Sequence, residues 1–246
     1  MAGCYAVFAW EIMVKKYKKT DGVSYALGAT VTMELLNRRG EYARCVYVSP
    51  KSNVDAVTEK AKTLGVPVVA SEKAFNILSP KENCFVIGEF EKFDAHVDGE
   101  RNHIVLVNPS NSGNLGTIIR DVAAFDSVDL AVIRPSADPF DPKTVRASMG
   151  AVFGINFELF DSFEAYAEKY GKREILPFML DGLPFAERDF AKDKKYALVF
   201  GNEATGLPRE FSRYGGVKIE QSDKADSLNL ATAVAIALYK ISIQTR

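Results

Sequence analysis

Residues 103–133 read HIVLVNPSNSGNLGTIIRDVAAFDSVDLAVI, and their pattern decides the fold. IVLVN is a short apolar, β-branched run closed by Asn108 and Pro109, which reads as a buried strand. Beyond it Leu115, Ile118, Ile119 and Val122 recur at i, i+3, i+4 and i+7, the stripe of a helix buried on one face. VDLAVI then reads as a second buried strand. A strand, a helix and a strand in such close succession form a parallel crossover unit. Toward the C-terminus INFELF, ILPFML, YALVFG and VKIE continue the alternation, so six strands of a largely parallel sheet are predicted. The segment from Leu228 to Ile241 is apolar on nearly every side. It is expected to pack on its own sheet and also on something else, either a second subunit or more of the same core.

Toward the N-terminus the spacing of Leu27, Val31 and Leu35 predicts a helix from about Ser24 to Asn37, ending before Gly40. RCVYVS, VPVVA and CFVIGEF read as three short buried strands of a compact α/β unit. Between that unit and residue 103 lies EKFDAHVDGERN, charged and glycine-containing, the composition of an inter-domain linker. The chain is therefore expected to divide near residue 95 into a small α/β unit over 1–95 and a parallel-sheet unit over 96–246.

With 47% hydrophobic and 26% charged residues over 246 positions, the composition excludes a globally disordered chain. Lys plus Arg is 31 and Asp plus Glu is 32, so any contact with a polyanion must be a local patch. Residues 1–49 carry seven basic residues against four acidic ones. Lys15, Lys16, Lys18, Lys19, Arg38 and Arg39 are the candidate nucleic-acid contacts there, and Tyr17 within KKYKK is a ring that could stack on a base; a solvated charged face is the plainer alternative. Three cysteines without a C-x-x-C pair and two histidines in all exclude a structural metal site and suit a reducing compartment. The apolar opening CYAVFAW is followed by lysines rather than preceded by them, the wrong order for a secretory signal. The run near Ala231 to Tyr239 is too short for the ~20 residues of a membrane helix, and a cytoplasmic protein without membrane contact is expected.

Three stretches could carry chemistry. In NPSNSGNLGTIIRDVAAF, Arg120 lies off the buried stripe, with Gly113, Gly116 and Thr117 on its own face, leaving open space for a substrate in front of the guanidinium. A solvated arginine beside glycines that shape a helix start is the competing reading. LVFGNEATGLP places Asn202, Glu203 and two glycines in a turn after a buried strand, without the spacing of a Walker loop or a dinucleotide fingerprint. In VKIEQSDKADSLNLATAVAIALY, Asp226 or Ser227 would cap the last helix, and Asn229 is a carboxamide that needs a partner in so apolar a setting. Each stretch follows a strand of one parallel sheet, so the three should meet at its carboxyl edge, joined there by Leu180, Asp181 and Gly182.

In order and spacing these three stretches resemble the signature motifs of the SpoU/TrmH family of RNA ribose 2′-O-methyltransferases, in the SPOUT superfamily, over about residues 103–246. SYALGATVTMELLNRRGEYARCVYVSPKS and LGVPVVASEKAFNILSP look like the small substrate-binding domain that often precedes that catalytic domain. The resemblance implies a parallel sheet whose C-terminal stretch threads a deep trefoil knot, a homodimer, and S-adenosylmethionine held in the knot. It implies a catalytic set of Asn114, Arg120, Glu203, Ser227 and Asn229, with Glu203 supporting the arginine. It implies that the cofactor lies along Leu180, Gly201, Asn202, Ile219, Gln221 and Leu228. The substrate would be ribosomal or transfer RNA, selected over DNA by its 2′-hydroxyl. Arg120 is then better read as an electrostatic clamp than as a base, because guanidinium does not deprotonate in proteins.

Two positions depart from the family pattern: Ile219-Glu220-Gln221 stands where Ile-Pro-Met is common, and Ala204 where glycine is frequent. A carboxylate aimed at the cofactor would disturb its binding. That motivates a second reading, a knotted RNA-binding protein with weak or lost catalysis. A third, a nucleotide-dependent doubly wound enzyme, lacks the expected glycine fingerprint.

Overall fold

The computed structural model describes residues 14–50, 54–79 and 83–245, so CYAVFAW and Cys4 lie outside the described residues. Two sheets are present. The first is built from β1 (Val23–Leu27), β2 (Ala43–Val48), β3 (Val68–Ala70) and β4 (Val86–Glu91), with α1 (Ala29–Arg38), α2 (Asp55–Thr63) and α3 (Glu72–Leu78) between them. Its strand order is β1-β4-β2-β3, with β4 antiparallel to both neighbours and β2 parallel to β3.

The helix expected from Ser24 begins only at Ala29, and residues 24–27 belong to strand β1. Ala26 faces the core shared with the second sheet while Tyr25 and Leu27 face the opposite side, a period of two rather than 3.6. Leu27 matches the helical spacing of Val31 and Leu35 by coincidence. Gly28, at φ +105, makes the break between strand and helix.

The second sheet is entirely parallel, in the order β10-β8-β9-β5-β6-β7. Its elements are β5 (Asn102–Val107), α4 (Ser112–Phe125), β6 (Val128–Ile133), α5 (Pro142–Ala147), β7 (Phe157–Phe160), α6 (Phe163–Tyr170), β8 (Glu174–Pro184), β9 (Tyr196–Phe200), β10 (Val217–Lys218) and α7 (Leu230–Thr245). All six strands expected from the sequence are found, β10 shorter than VKIE suggested. β5, β6 and β9 are buried along their whole length because helices cover both faces. Ile104, Leu106, Leu130, Val132 and Leu198 pack toward α4, α5 and α7; Val105, Val107, Ala131 and Val199 pack toward α6. Each such side chain contributes roughly 1.5–3 kcal/mol on burial, which makes this sheet a rigid floor for its edge loops.

The segment 91–102 is packed rather than extended into solvent. Phe93 and Val97 are buried, and Phe93 stands 5.0 Å edge-on to Phe140. Ala26, Val31, Leu35 and Phe90 belong to the same core as Phe140, Phe153 and Phe157, so the two sheets share apolar contacts. No helix among the described residues is long and apolar enough to cross a membrane.

Candidate active site

From β5 the chain moves outward through β6 and β7 on one side, then fills the other side with β9, β8 and β10. The loops that follow β5 and β9 therefore part at a switch in strand order, where open α/β sheets leave a crevice. Here the loops are tied together by one carboxylate. Glu203 accepts hydrogen bonds from the Ser110 N–H at 3.0 Å, the Ser110 hydroxyl at 2.9 Å, the Asn111 N–H at 3.1 Å and the Asn114 Nδ2 at 3.2 Å. An acidic group is favoured at this place because α4 directs the positive end of its dipole there. Burial alone would raise the Glu203 carboxyl, but the donated hydrogen bonds, that of the Ser110 N–H foremost, hold it down at about 2.

Asn114 passes the connection on. Its Oδ1 accepts from Asn229 Nδ2 at 3.0 Å, and Asn229 Oδ1 accepts from the N–H groups of Ala231 at 2.9 Å and Thr232 at 3.4 Å. Asn229, rather than Asp226 or Ser227, is thus the cap of α7, and its carboxamide joins the last helix to α4. Asn111 caps α4 in the same manner, accepting from Gly113 at 2.8 Å and Asn114 at 3.0 Å. Asn202 donates to the Asn108 carbonyl at 2.8 Å and accepts from the Ala204 N–H at 2.9 Å, which shapes the turn after β9. Ser110 and Asn111 were not singled out in the sequence; only the cap position of Asn111, just ahead of a periodic helix, was open to reading.

Beside this network lies a cleft of about 600 Å³. Leu180, Gly201, Asn202, Ile219, Gln221 and Leu228 all line it, as do Glu203, Ser227 and Asn229. Phe178, stacked on Phe200 at 4.2 Å, forms part of its wall, and Leu180 is 70% exposed beside it. A Cβ on Gly201 would stand 2.2 Å from the Gly206 backbone, so only glycine permits this closed turn. Glu220 is turned elsewhere: both carboxylate oxygens accept from the Ala186 N–H at 3.3 Å, and it is not among the lining residues. The objection that it would face a cofactor falls with that contact. Apolar side chains such as Phe178, Leu180, Ile219 and Leu228 facing polar ones such as Asn202, Gln221, Ser227 and Asn229 suit a ligand with a flat heteroaromatic part and a polar part.

Arg120 does not join this cluster. It lies six residues beyond Asn114, about 240° further around the helix and ~9 Å along it. It is exposed, makes no hydrogen bond or ion pair among the described residues, and lines a different groove. Glu203 therefore supports the start of α4 rather than the arginine. Nor do glycines clear space before Arg120: a Cβ on Gly116 would stand 2.5 Å from Ala147 Cβ, so this glycine serves close packing of α4 on α5.

The basic candidates of the first unit are dispersed. Lys15 pairs with Asp21 at 2.9 Å, Lys19 donates to the Ser136 carbonyl at 2.8 Å, and Lys16 and Lys18 are exposed. Arg38 pairs with Glu34 at 2.6 Å, and the Arg39 guanidinium lies 5.0 Å over the Phe93 ring. Tyr17 is not free to stack on a base, because its hydroxyl donates to Asp138 and Lys92 covers its ring at 4.8 Å.

The Ribosomal RNA small subunit methyltransferase G 2 of Syntrophobacter fumaroxidans is 35% identical over 153 residues, 62% of this chain but 30% of that protein, so the chain spans less than a third of that relative. The 23S rRNA (adenosine(1067)-2′-O)-methyltransferase of Streptomyces laurentii is 33% identical over 134 residues, 52% of this chain and 49% of that one. The AdoMet-bound rRNA methyltransferase of Sinorhizobium meliloti matches in structure with a TM-score of 0.75 and 28% identity, covering 89% of this chain and 87% of that one. The profile of the SpoU rRNA Methylase family matches residues 101–239, more than half of the sequence. On that match, this chain belongs to the SpoU rRNA methylase family.

Proposed function

We propose that the chain is an S-adenosylmethionine-dependent RNA methyltransferase that modifies a ribose 2′-hydroxyl of ribosomal or transfer RNA in the cytoplasm. The observation that carries this reading is that Glu203 and Asn229, which line one cleft, are joined through Asn114, so that three distant segments of a SpoU-family chain converge beside it. When bound, S-adenosylmethionine supplies an electrophilic methyl group. Phe178, Leu180, Ile219 and Leu228 would hold its adenine end, and the turn closed by Gly201 would offer backbone groups to it. Asn114 and Asn229, fixed by Glu203 and by the start of α7, position the cleft mouth without rearrangement. Arg120 stabilises the developing alkoxide as a permanent positive charge.

The reading includes a knotted C-terminal passage, a substrate-binding unit over 1–95 and a homodimer. The passage from β10 at one sheet edge to α7 packed beside α4 supports the knot. Ile236, Tyr239 and Ile243 form an exposed apolar stripe on α7, 39%, 60% and 58% accessible, which supports pairing with a second copy. Arg120, remote from its own cleft, then serves a ribose held at the cleft of the other copy.

Incubation with tritiated S-adenosylmethionine and bulk ribosomal and transfer RNA is expected to label alkali-resistant dinucleotides, the mark of a 2′-O-methyl ribose. No transfer, or label in the bases, overturns the proposal. Mixing inactive Arg120→Ala and Asn229→Ala proteins tests the shared site: exchange into symmetric dimers is expected to restore about a quarter of the activity. No recovery places both residues in one copy's site.

A further inference from the structure

The groove that holds Arg120 has no part in the cleft and none of its lining residues. It measures about 520 Å³ and runs between α1 of the first sheet and α4 of the second, with residues 148–156 as a third wall. Three arginines and three acids line it: Arg38, Arg101 and Arg120 against Glu34, Asp126 and Asp129. Arg101 is held by charge on two sides, with Nη2 donating to the Asp126 carbonyl at 2.8 Å and Nε in an ion pair 2.8 Å from Asp129 Oδ1 without hydrogen-bond alignment. Arg38 is differently held. Glu34 takes its Nε at 2.6 Å and fixes the plane of the guanidinium, which lies against Gly154. A Cβ at Gly154 would stand 2.7 Å from Arg38 Nη1, so the glycine leaves the flat group its place. Arg120 makes no hydrogen bond or ion pair among the described residues, with only the adjacent Asp121 charge acting on it.

Met149 completes the rim. It stands at φ 54, the left-handed region that an unbranched L-residue enters at a cost of about 1 kcal/mol, and its side chain is 43% exposed. Gly150 behind it seats the turn against Glu34 Cβ, which a Cβ there would approach to 2.7 Å. Backbone strain held by its surroundings, with an apolar side chain left outside, is a feature of ligand-contact positions. The balanced charge disfavours a site for phosphate alone. It suits a group that brings a flat face as well as donors and acceptors, an unstacked nucleobase, for which guanidinium planes and apolar side chains are stacking partners.

We propose that this groove is a second nucleotide subsite, taking the unstacked base of an RNA nucleotide next to the one methylated, between the Arg38 guanidinium and Met149, with its phosphate on Arg120. This rests on the methyltransferase reading. Three variants test it: Arg38→Ala removes the plane, Gly154→Ala displaces it, and Met149→Gly removes the rim while relieving the left-handed strain, so that this variant folds at least as well as the wild type. With bulk ribosomal and transfer RNA as substrate, the apparent KM for RNA is expected to rise about tenfold for Arg38→Ala and severalfold for the other two. kcat and the affinity for S-adenosylmethionine, read by calorimetry, stay unchanged. Transfer by the wild type together with KM values within about twofold for all three variants overturns the subsite alone. Absence of transfer by the wild type overturns the functional reading beneath it.

Discussion

The cleft near the start of α4 and the groove along its later turns differ in how their polar groups are employed. At the cleft, Asn111, Asn114, Asn202, Glu203 and Asn229 bind one another and the local backbone. In the groove, Arg120 makes no hydrogen bond or ion pair among the described residues, feeling only the charge of the adjacent Asp121, and Arg38 keeps a single ion pair, to Glu34. The first is a scaffold that holds its own shape; the second leaves cationic donors for something that arrives. A preorganised cleft and an open groove whose charges balance but whose Arg120 is left unengaged are the two halves that the proposed methyl transfer to RNA would use, a fixed donor and a place for the substrate strand.

The contrast can be broken most severely at Gly201. Gly201→Ala would drive a Cβ into the backbone of Gly206 and Leu207 at 2.2 and 2.3 Å, where nothing flexible can yield. Loss of measurable S-adenosylmethionine binding by calorimetry is expected, and retained affinity would place the cofactor elsewhere. Next comes a paired comparison. Arg120→Ala is expected to lower transfer by about 10²–10³ with stability unchanged within about 0.5 kcal/mol, since no hydrogen bond or ion pair among the described residues is lost and only the weak attraction of Asp121 goes. Glu203→Gln should lower transfer and also cost about 1–3 kcal/mol in denaturant unfolding, because one of the two oxygens that accept from Ser110, Asn111 and Asn114 becomes an NH2 donor facing donors. Equal stability losses would erase the distinction between the hollows.

A smaller effect concerns pH. The Glu203 carboxyl sits at about 2 in the folded chain against an ordinary 4.5, so its contribution is complete above about 4.5 and is lost as pH falls toward 2. Unfolding of Glu203→Gln should show a shallower slope over this range than the wild type, the remainder coming from carboxylates such as Asp21 and Glu158 that are also lowered. The smallest effect is at Glu220. Its carboxylate is bound to Ala186, outside the cleft, so Glu220→Gln should change cofactor affinity by less than about twofold. A large gain on that change would restore the reading of a chain impaired by this residue.

Much of this arrangement was legible beforehand. The stripe of Leu115, Ile118, Ile119 and Val122 announced α4, and unbroken apolar runs announced a sheet covered on both faces. The convergence of three loops followed from their place after parallel strands. Ser24–Leu27 was misread because Leu27 fits either period, and only pairing with β4 makes it a strand. The partner of Glu203 was misread for a related reason: a carboxylate and an arginine suggest each other, whereas the nearer donors were the backbone groups of Ser110 and Asn111.

Hydrophobic periodicity is a local property, written into neighbouring residues, and it determined the alternation of strand and helix and the edge at which the loops gather. Hydrogen-bond partners and close approaches join residues far apart in the chain, so tertiary structure alone decided that Asn229 caps α7 while reaching Asn114, that Gly116 seats α5, and that Arg120 faces away from the cleft. Which side of α4 a side chain occupies follows from its position along the helix. What awaits it there depends on every element packed around it.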